Sequence, residues 1–192
     1  MMDKETVYQN IHQDIIDGCV SGDQKSQFKI YKLYYKAMYN ASLRIVNDSM
    51  EAEDIMQDAF LAAFEKIDTY GGKVSFGAWL KKIVINKSLD IIKKKRVELI
   101  PLKEQEYRIE DESSNKESEI PEDSVENIKN CIDKLADGYR IVLSLYLIEG
   151  YDHEEIGQIL GISGSTSRSQ FTRARKKLIE ELKKKRDYEK YR

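Results

Sequence analysis

The stretch from Tyr151 to Leu178 constrains the fold of this 192-residue chain more than any other part of its sequence. It divides into a short amphipathic helix, a tight turn and a longer basic helix. Asp152 followed by Glu155 is a capping box that begins the first helix, and Gly161 can take the left-handed conformation that ends it. Ser163 is a suitable N-cap for the second helix. This layout predicts a helix-turn-helix, which lays its second helix in a DNA major groove.

The second helix of this motif has one apolar and one basic face. The residues that recur at helical spacing and share an inward face are Ser167, Phe171, Ala174 and Leu178. The residues left to point elsewhere are Arg168, Gln170, Thr172, Arg173, Arg175 and Lys176. From Ser163 to Arg186 nine Lys or Arg stand against two Glu, a balance of +7, whereas the whole chain carries −2. An isolated basic helix is most often a solvated face, but the preceding helix and turn make DNA binding the better interpretation.

Composition indicates an all-α protein. The chain is 34% charged and 41% hydrophobic, its two prolines are Pro101 and Pro121, and few segments alternate with the period of a β-strand. Its length allows one domain or two small ones, each with a hydrophobic core.

Isolated cysteines and histidines argue against metal and catalytic chemistry. Cys19 and Cys131 belong to no metal-binding motif, and neither His12 nor His153 has the sequence neighbours that a metal or general-base site needs. We therefore expect no cofactor, no metal and no enzyme activity. The first ten residues contain no apolar core of signal-peptide length, and the longest apolar run, Ile141 to Ile148, is too short to span a bilayer. We expect a cytoplasmic protein without direct membrane insertion.

The N-terminal half predicts a series of amphipathic helices. The first helix lies within the residues up to about Cys19, and Gly18 is expected to end it. A longer helix follows Gly22 and Asp23. The apolar and aromatic bulk of that longer helix is supplied by Phe28, Tyr31, Leu33, Tyr35, Met38, Ala41 and Ile45.

The next helix, after a capping box at Asp48 and Glu51, carries an acidic ridge opposite its apolar side. The buried side is formed by Ala52, Met56, Ala59, Phe60, Ala63 and Ile67, and the ridge by Asp54, Gln57, Asp58, Leu61 and Glu65. An acidic ridge with an apolar residue in its middle is suited to docking on a basic groove of another protein. Spacing alone is equally consistent with a solubilising face.

A basic helix follows the loop from Thr69 to Ser75. Its outward line is formed by Lys82, Asn86, Asp90 and Lys93, with Trp79 at the edge. Basic charge beside an aromatic ring suits single-stranded nucleic acid, because phosphates pair with lysine and unstacked bases stack on rings. A buried Trp79 is the alternative.

An acidic segment separates two predicted domains. Between Val97 and Glu126 eleven Asp or Glu stand against three Lys or Arg, a composition that favours a flexible linker. We predict a helical domain over residues 1–96, a linker over 97–124 and a second helical domain over 125–192.

In combination these motifs resemble a known family. The segments AEDIMQDAF, FGAWLKKIVINKSLD and EEIGQILGISGSTSRSQFTRARKKL, with the acidic linker between the last two, resemble a bacterial sigma factor of the sigma-70 family, group 4 (extracytoplasmic-function) subfamily. The resemblance covers nearly the whole chain from Gly22. It implies an initiation subunit that binds the beta and beta-prime subunits of the RNA polymerase core, together with promoter DNA and a regulatory anti-sigma factor.

The resemblance also implies roles for particular residues. Polymerase binding falls on Asp54, Gln57, Asp58 and Leu61. Contacts to the −10 promoter element fall on Trp79, Lys82, Asn86, Lys87 and Lys93. We further predict that Asn86 and the Tyr70 to Phe76 loop capture a flipped base of that element. Reading of the −35 element falls on Thr166, Arg168, Ser169, Gln170, Thr172, Arg173, Arg175 and Lys176. Ser165 and Ser167 stand where the family commonly has Gly and Val, so we expect the recognition helix to seat slightly less tightly.

The main alternative is a helix-turn-helix regulator that binds duplex DNA without acting as a polymerase subunit. Such a protein has no use for a second basic domain with an acidic docking ridge. An enzyme would need a catalytic constellation, and the sequence contains neither a Gly-rich phosphate loop nor a nucleophile–base arrangement.

Overall fold

The computed structural model describes residues 10–99 and 125–190, with side chains for 10–95 and 125–186, and within these ranges it is helical without a β-strand. The all-α prediction is therefore confirmed. The chain divides into two compact units, Met1–Ile92 and Lys93–Arg192. Most of the acidic segment lies outside the described residues, so the predicted linker and the exact domain limits stay predictions.

The first unit consists of four α-helices and one 3₁₀ turn among its described residues. They are α1 (Gln13–Val20), α2 (Gln24–Val46), α3 (Ser49–Glu65), the 3₁₀ turn Ile67–Thr69, and α4 (Phe76–Leu99), which continues beyond the unit. Two Asp side chains begin the middle helices. Asp23 accepts hydrogen bonds from the backbone N–H groups of Lys25 and Ser26, and Asp48 accepts one from Glu51 at 2.9 Å. Both caps satisfy N–H groups that the first turn of a helix leaves without partners.

The core of the first unit lies between α2, α3 and α4. The fully buried residues at its centre include Ile30, Met38, Ala59, Phe76 and Leu80. The predicted apolar side of the third helix is confirmed, since all six of its residues are buried, although Ile67 lies in the 3₁₀ turn after α3. Small residues bring α2 and α4 together, and the buried Ser42 and Ser88 hydroxyls form a hydrogen bond of 3.0 Å there.

One expectation for the first unit is wrong, and the exposure of two apolar residues was not foreseen. Helix α1 does not end at Gly18 but continues to Val20, and the left-handed residue of the turn is Gly22, at φ 78°. Gly18 instead lies against Ser26 of α2, where a Cβ would meet the Ser26 Oγ at 2.3 Å. On α2, Phe28 and Leu33 are 61% and 47% exposed, because that helix buries a narrower face than its apolar content suggested.

The second unit is built around the long C-terminal helix. Its elements are α5 (Val125–Asp133), α6 (Asp137–Leu143), a π-helical turn (Ser144–Ile148), α7 (His153–Leu160) and α8 (Gly164–Lys190). The residues at the centre of its core are Ile132, Leu143, Ala174, Leu178 and Leu182. Arg140 is also buried, and its guanidinium lies 2.9 Å from Asp137 Oδ1 and 3.3 Å from the Leu135 carbonyl oxygen. A buried charge requires such partners, and these tie α6 to the turn before it.

The π-helical turn was not predicted. It inserts between α6 and the helix-turn-helix and leaves Tyr146, Leu147 and Ile148 exposed in succession. An α-helix continuing through this segment would have turned some of these side chains inward. With the π geometry, the Tyr146 ring instead stacks on His153, the first residue of α7.

Candidate nucleic-acid interface

Helices α7 and α8 form the predicted helix-turn-helix. The Asp152 side chain accepts hydrogen bonds of 2.8 Å from the N–H groups of Glu154 and Glu155, and the Glu155 carboxylate accepts one of 2.8 Å from the Asp152 N–H, which completes the capping box. Gly161 ends α7 at φ 71° and ψ 36°. Ser163 Oγ accepts a hydrogen bond of 3.1 Å from the Thr166 N–H. The caps that the sequence indicated for these two helices are therefore present.

A close backbone approach fixes the angle between these two helices. Gly157 of α7 faces the turn, and a Cβ there would lie 2.7 Å from the carbonyl oxygen of Ile162 and 3.3 Å from the N atom of Gly164. The Ile162 N–H donates to the Gly157 carbonyl oxygen at 2.9 Å. Sequence reasoning overlooked Gly157, because its requirement comes from the turn five residues later in the chain.

His153 joins α7 to α8. Its Nδ1 lies 3.0 Å from the Oγ of Ser167, which is fully buried, and its ring stacks on Tyr146 at 4.6 Å and meets Phe171 at 5.5 Å. Burial lowers the pKa of His153, and the nearby Arg168 lowers it further, against the opposite effect of Asp152 and Glu154. A valine at position 167 could not make this hydrogen bond. The sequence indicated no role for His153, because its partner is fourteen residues away on another helix.

The predicted −35 residues all lie on α8. Those exposed are Arg168, Thr172 and Lys176, and those half-buried are Thr166, Ser169, Gln170, Arg173 and Arg175. The inward face is as predicted, since Ser167, Ala174 and Leu178 are buried. Arg168 forms an ion pair with Glu154 of α7 at 3.2 Å. Because both side chains are more than half exposed, the pair contributes little stability and can exchange for a contact to DNA.

In the first unit, α4 presents the predicted −10 residues. Lys82 and Asn86 are exposed, and Lys87 is half-buried. Trp79 is also half-buried, and its ring packs 5.4 Å from both Tyr70 and Phe76 at the edge of the core, so the aromatic residue combines a packing role with partial exposure. Lys93 is exposed on the same helix, one residue beyond the end of the first unit.

The loop before α4 is closed by its own hydrogen bond. The Tyr70 hydroxyl donates to the Val74 carbonyl oxygen at 2.6 Å, and Gly72 has φ 67°, a left-handed conformation that glycine adopts without strain. Ser75 Oγ accepts a hydrogen bond of 3.2 Å from the Ala78 N–H and so caps α4. The loop thus leads directly into the Trp79, Lys82 and Asn86 face.

The acidic ridge of α3 is exposed along its length. Asp54, Gln57, Asp58 and Glu65 are exposed, and Leu61, which lies between Asp58 and Glu65 on the ridge, is 63% exposed. Phe60 and Met56, on the other side of the helix, are buried in the core. An exposed leucine among carboxylates provides both charge and apolar area to a binding partner.

Within the parts of the chain that the structure describes, no group of His, Cys, Asp or Glu side chains could hold a metal ion. None of the helices described in the two units is long and apolar enough to cross a membrane.

These features define a DNA-binding helix-turn-helix protein that carries a second helical unit with its own basic face. Comparisons with known proteins identify its family. Residues 30–97 match the model of sigma-70 region 2, and residues 125–178 match the model of sigma-70 region 4. The chain is 31% identical to the ECF RNA polymerase sigma factor SigW of Bacillus subtilis over 84% of this chain and 91% of that protein. It is 30% identical to the ECF sigma factor SigE of Mycolicibacterium smegmatis, over 85% of this chain and 65% of that protein.

Solved structures agree on the fold. The sigma factor RpoE of Bartonella quintana, solved in complex with the anti-sigma factor NepR, superposes with a TM-score of 0.56 at 22% identity and covers 81% of this chain and 95% of that one. CnrH, solved with the cytosolic domain of CnrY, superposes with a TM-score of 0.52 at 24% identity, over 86% of this chain and 93% of that one.

The chain belongs to the extracytoplasmic-function sigma factors of the sigma-70 family. It is a promoter-directing subunit of RNA polymerase, and the alternative of a helix-turn-helix regulator that works without polymerase is not favoured.

Proposed function

We propose that this sigma factor uses three separate surfaces, each with one function. Helix α8 reads the −35 element, the α3 ridge docks on the polymerase core, and the α4 face with the Tyr70 to Phe76 loop opens the −10 element. The observation that carries this proposal is the capped helix-turn-helix, because it presents α8 with Arg168 and Arg173 outside the buried face.

The −10 role rests on what surrounds the loop. A protein that opens duplex DNA must hold an unstacked base in a pocket or against a flat surface, and aromatic stacking contributes about 1–3 kcal/mol per base. Tyr70 of the loop packs against the half-buried Trp79, and the exposed Lys82 and Asn86 follow one and two turns further along the same face of α4, where Lys82 supplies positive charge for the phosphates. We propose that Asn86 and the loop receive a base of the non-template strand.

The docking role rests on the composition of the ridge. Asp54, Gln57 and Asp58 precede the exposed Leu61 on the ridge and Glu65 follows it, an arrangement that suits a basic partner groove with an apolar floor. We propose that this partner is the polymerase core, contacted through its beta and beta-prime subunits.

Two further assignments follow from the relatives. RpoE of Bartonella quintana was solved with an anti-sigma factor, and we propose that an anti-sigma factor also holds this chain inactive. We place the protein in the cytoplasm, where the polymerase acts.

Binding to variants of the −35 element tests the reading role. An arginine that forks onto a guanine edge contributes about 1–3 kcal/mol of discrimination, whereas a phosphate contact weakens all sequences alike. We expect Arg168→Ala or Arg173→Ala to relax base preference at one position of the −35 element, as measured by holoenzyme affinity for a set of single-base variants. Lys177→Ala is the matched control, since Lys177 is an exposed cation of α8 outside the predicted set. Uniform loss of affinity for every variant of the element would assign both arginines to the phosphates and base reading to other residues.

A further inference from the structure

The segment before α1 reaches across the first unit to the loop that precedes α4. Asn10 is half-buried, and its Nδ2 lies 2.9 Å from the Tyr70 hydroxyl. Its Oδ1 accepts a hydrogen bond of 2.9 Å from the backbone N–H of Phe76, the first residue of α4. A single side chain therefore contacts both ends of the Tyr70 to Phe76 loop, from 60 and 66 residues away in the sequence.

The direction of each hydrogen bond is determined. A backbone N–H can only donate, so the atom of Asn10 that faces Phe76 must be the carbonyl oxygen, and the amide nitrogen must face Tyr70. The Tyr70 hydroxyl donates to the Val74 carbonyl oxygen and so accepts from Asn10. The result is a continuous chain from Asn10 through Tyr70 to Val74, in which each hydrogen bond polarises the next.

The contact to Phe76 also satisfies a helix terminus. The first N–H groups of a helix lack hydrogen-bond partners within that helix. In α4, Ser75 Oγ accepts a hydrogen bond from the Ala78 N–H, and Asn10 Oδ1 accepts one from the Phe76 N–H. Loss of the Asn10 side chain would leave the Phe76 N–H without this acceptor and the Tyr70 hydroxyl without this donor. The loop would then have fewer restraints at both ends.

Three residues of the loop, Gly71, Lys73 and Val74, are open to solvent, whereas Gly72 is buried. Val74 is 49% exposed, and a Cβ at Gly71 would meet no atom within 4 Å. A segment with exposed residues between fixed ends can receive a ligand with little further ordering, and this lowers the entropy cost of binding.

We infer that Asn10 is a positioning residue for promoter opening, because it holds the Tyr70 to Phe76 loop in the conformation that receives the flipped base. The inference rests on the base-capture role proposed above for the loop. Asn10 acts through Tyr70 and Phe76 and does not itself contact the DNA. The N-terminal segment thereby becomes part of the opening machinery.

Amide hydrogen exchange in the full-length chain tests the restraint independently of DNA. We expect Asn10→Ala to speed exchange of the Phe76 amide, whereas Asn10→Asp retains an acceptor for it and keeps exchange slow. Gln13→Ala is the matched control, because Gln13 also bonds to Asn10 Nδ2 but contacts neither end of the loop. Unchanged Phe76 exchange in Asn10→Ala, or equal acceleration in Gln13→Ala, would overturn the inference.

Binding of holoenzyme to a single-stranded −10 oligonucleotide tests the consequence. Each position of the non-template strand is made abasic in turn, and the wild-type protein is expected to lose affinity at the captured position. We expect Asn10→Ala to bind the intact strand roughly three- to tenfold more weakly than wild type, the loss typical of about one hydrogen bond. On the strand that is abasic at the captured position, we expect the two proteins to bind alike.

Two outcomes would overturn the positioning role. An equal loss on intact and abasic strands would mean that Asn10 supports folding and not base capture. If the wild-type protein loses no affinity at any abasic position, the loop captures no base and the proposed function fails with it, whereas the exchange result would still report the restraint itself.

Discussion

At the scale of single residues, His153 illustrates how one side chain joins two elements. It begins α7, hydrogen-bonds to Ser167 of α8 and stacks on the Tyr146 ring of the π-helical turn. The charged groups near it are Arg168, Asp152 and Glu154, and burial together with Arg168 lowers its pKa. A positive charge at the N-terminus of α7 would also oppose the helix dipole. The neutral imidazole is therefore the form that fits this position.

The lowered pKa of His153 predicts a pH dependence for the second unit. In the unfolded chain the imidazole binds a proton near pH 6.5, and in the folded chain it does so only at lower pH. Folding stability from this residue is therefore fully present above pH 6.5 and is lost as the pH falls through the folded pKa. We expect the melting temperature of the wild type, followed through the amide signals of α7 and α8, to fall as the pH is lowered from 6.5 through the folded pKa of His153.

The His153→Gln variant should lose most of that dependence. His12→Gln, which changes the other histidine of the chain, serves as the control and should keep it. A His153→Gln protein whose melting temperature falls as steeply as that of the wild type below pH 6.5 would assign the dependence to other groups.

At the scale of elements, the turn between α7 and α8 and the helix α3 restrict the amino-acid sequence in different ways. The turn needs a residue without a side chain at Gly157, since the Ile162 carbonyl oxygen occupies the space of a Cβ. Helix α3 needs apolar residues on its inner side and tolerates many residues on its outer ridge. A small increase in side-chain volume at Gly157 should therefore destabilise the turn. A change of charge on the α3 ridge should instead affect binding to a partner and not folding.

Substitution of Gly157 tests the expectation for the turn. Gly157→Ala places a methyl group 2.7 Å from a backbone oxygen, and we expect it to reduce the free energy of unfolding by about 1–3 kcal/mol because backbone must shift. Gly138→Ala in α6 is the control, since its Cβ would meet nothing within 4 Å. That change should stabilise the helix by roughly 0.5–1 kcal/mol. Urea unfolding that shows Gly157→Ala to be as stable as wild type would contradict the close approach.

Charge reversal tests the expectation for the ridge. We expect Asp58→Lys to abolish assembly with core polymerase, measured by co-elution, while the melting temperature changes little because exposed charges contribute little to folding. Asp14→Lys, an exposed acidic residue of α1, controls for the change in net charge. Normal assembly by Asp58→Lys would remove the ridge from the docking surface, and loss of helicity would show that Asp58 is structural.

At the scale of the whole molecule, the two units each carry a core and a basic helix. The features predicted correctly from sequence are local ones. The capping box at Asp152, the left-handed Gly161 and the Ser163 cap depend on residues within a few positions of one another. The inner faces of α3 and α8 follow from periodicity, which one helix expresses by itself.

The features that sequence reasoning missed depend on contacts between distant segments. Asn10 meets Tyr70 and Phe76 only after α1 has packed in place, and His153 meets Ser167 only after the turn has closed. The exposure of Phe28 was missed for a related reason. Helical periodicity shows which apolar residues share one face of a helix. How much of that face is buried depends on the neighbouring helices that pack against it.

Permanganate footprinting of holoenzyme tests most directly whether the first unit opens promoter DNA through its base-capturing face. At equal promoter occupancy, we predict that Asn86→Ala reduces the reactivity of thymines in the bubble while duplex binding stays nearly intact. Asp90→Asn, one turn further along the same face, should open as the wild type does. An Asn86→Ala protein that loses duplex binding, yet opens normally whatever it still binds, would contradict this role of the face.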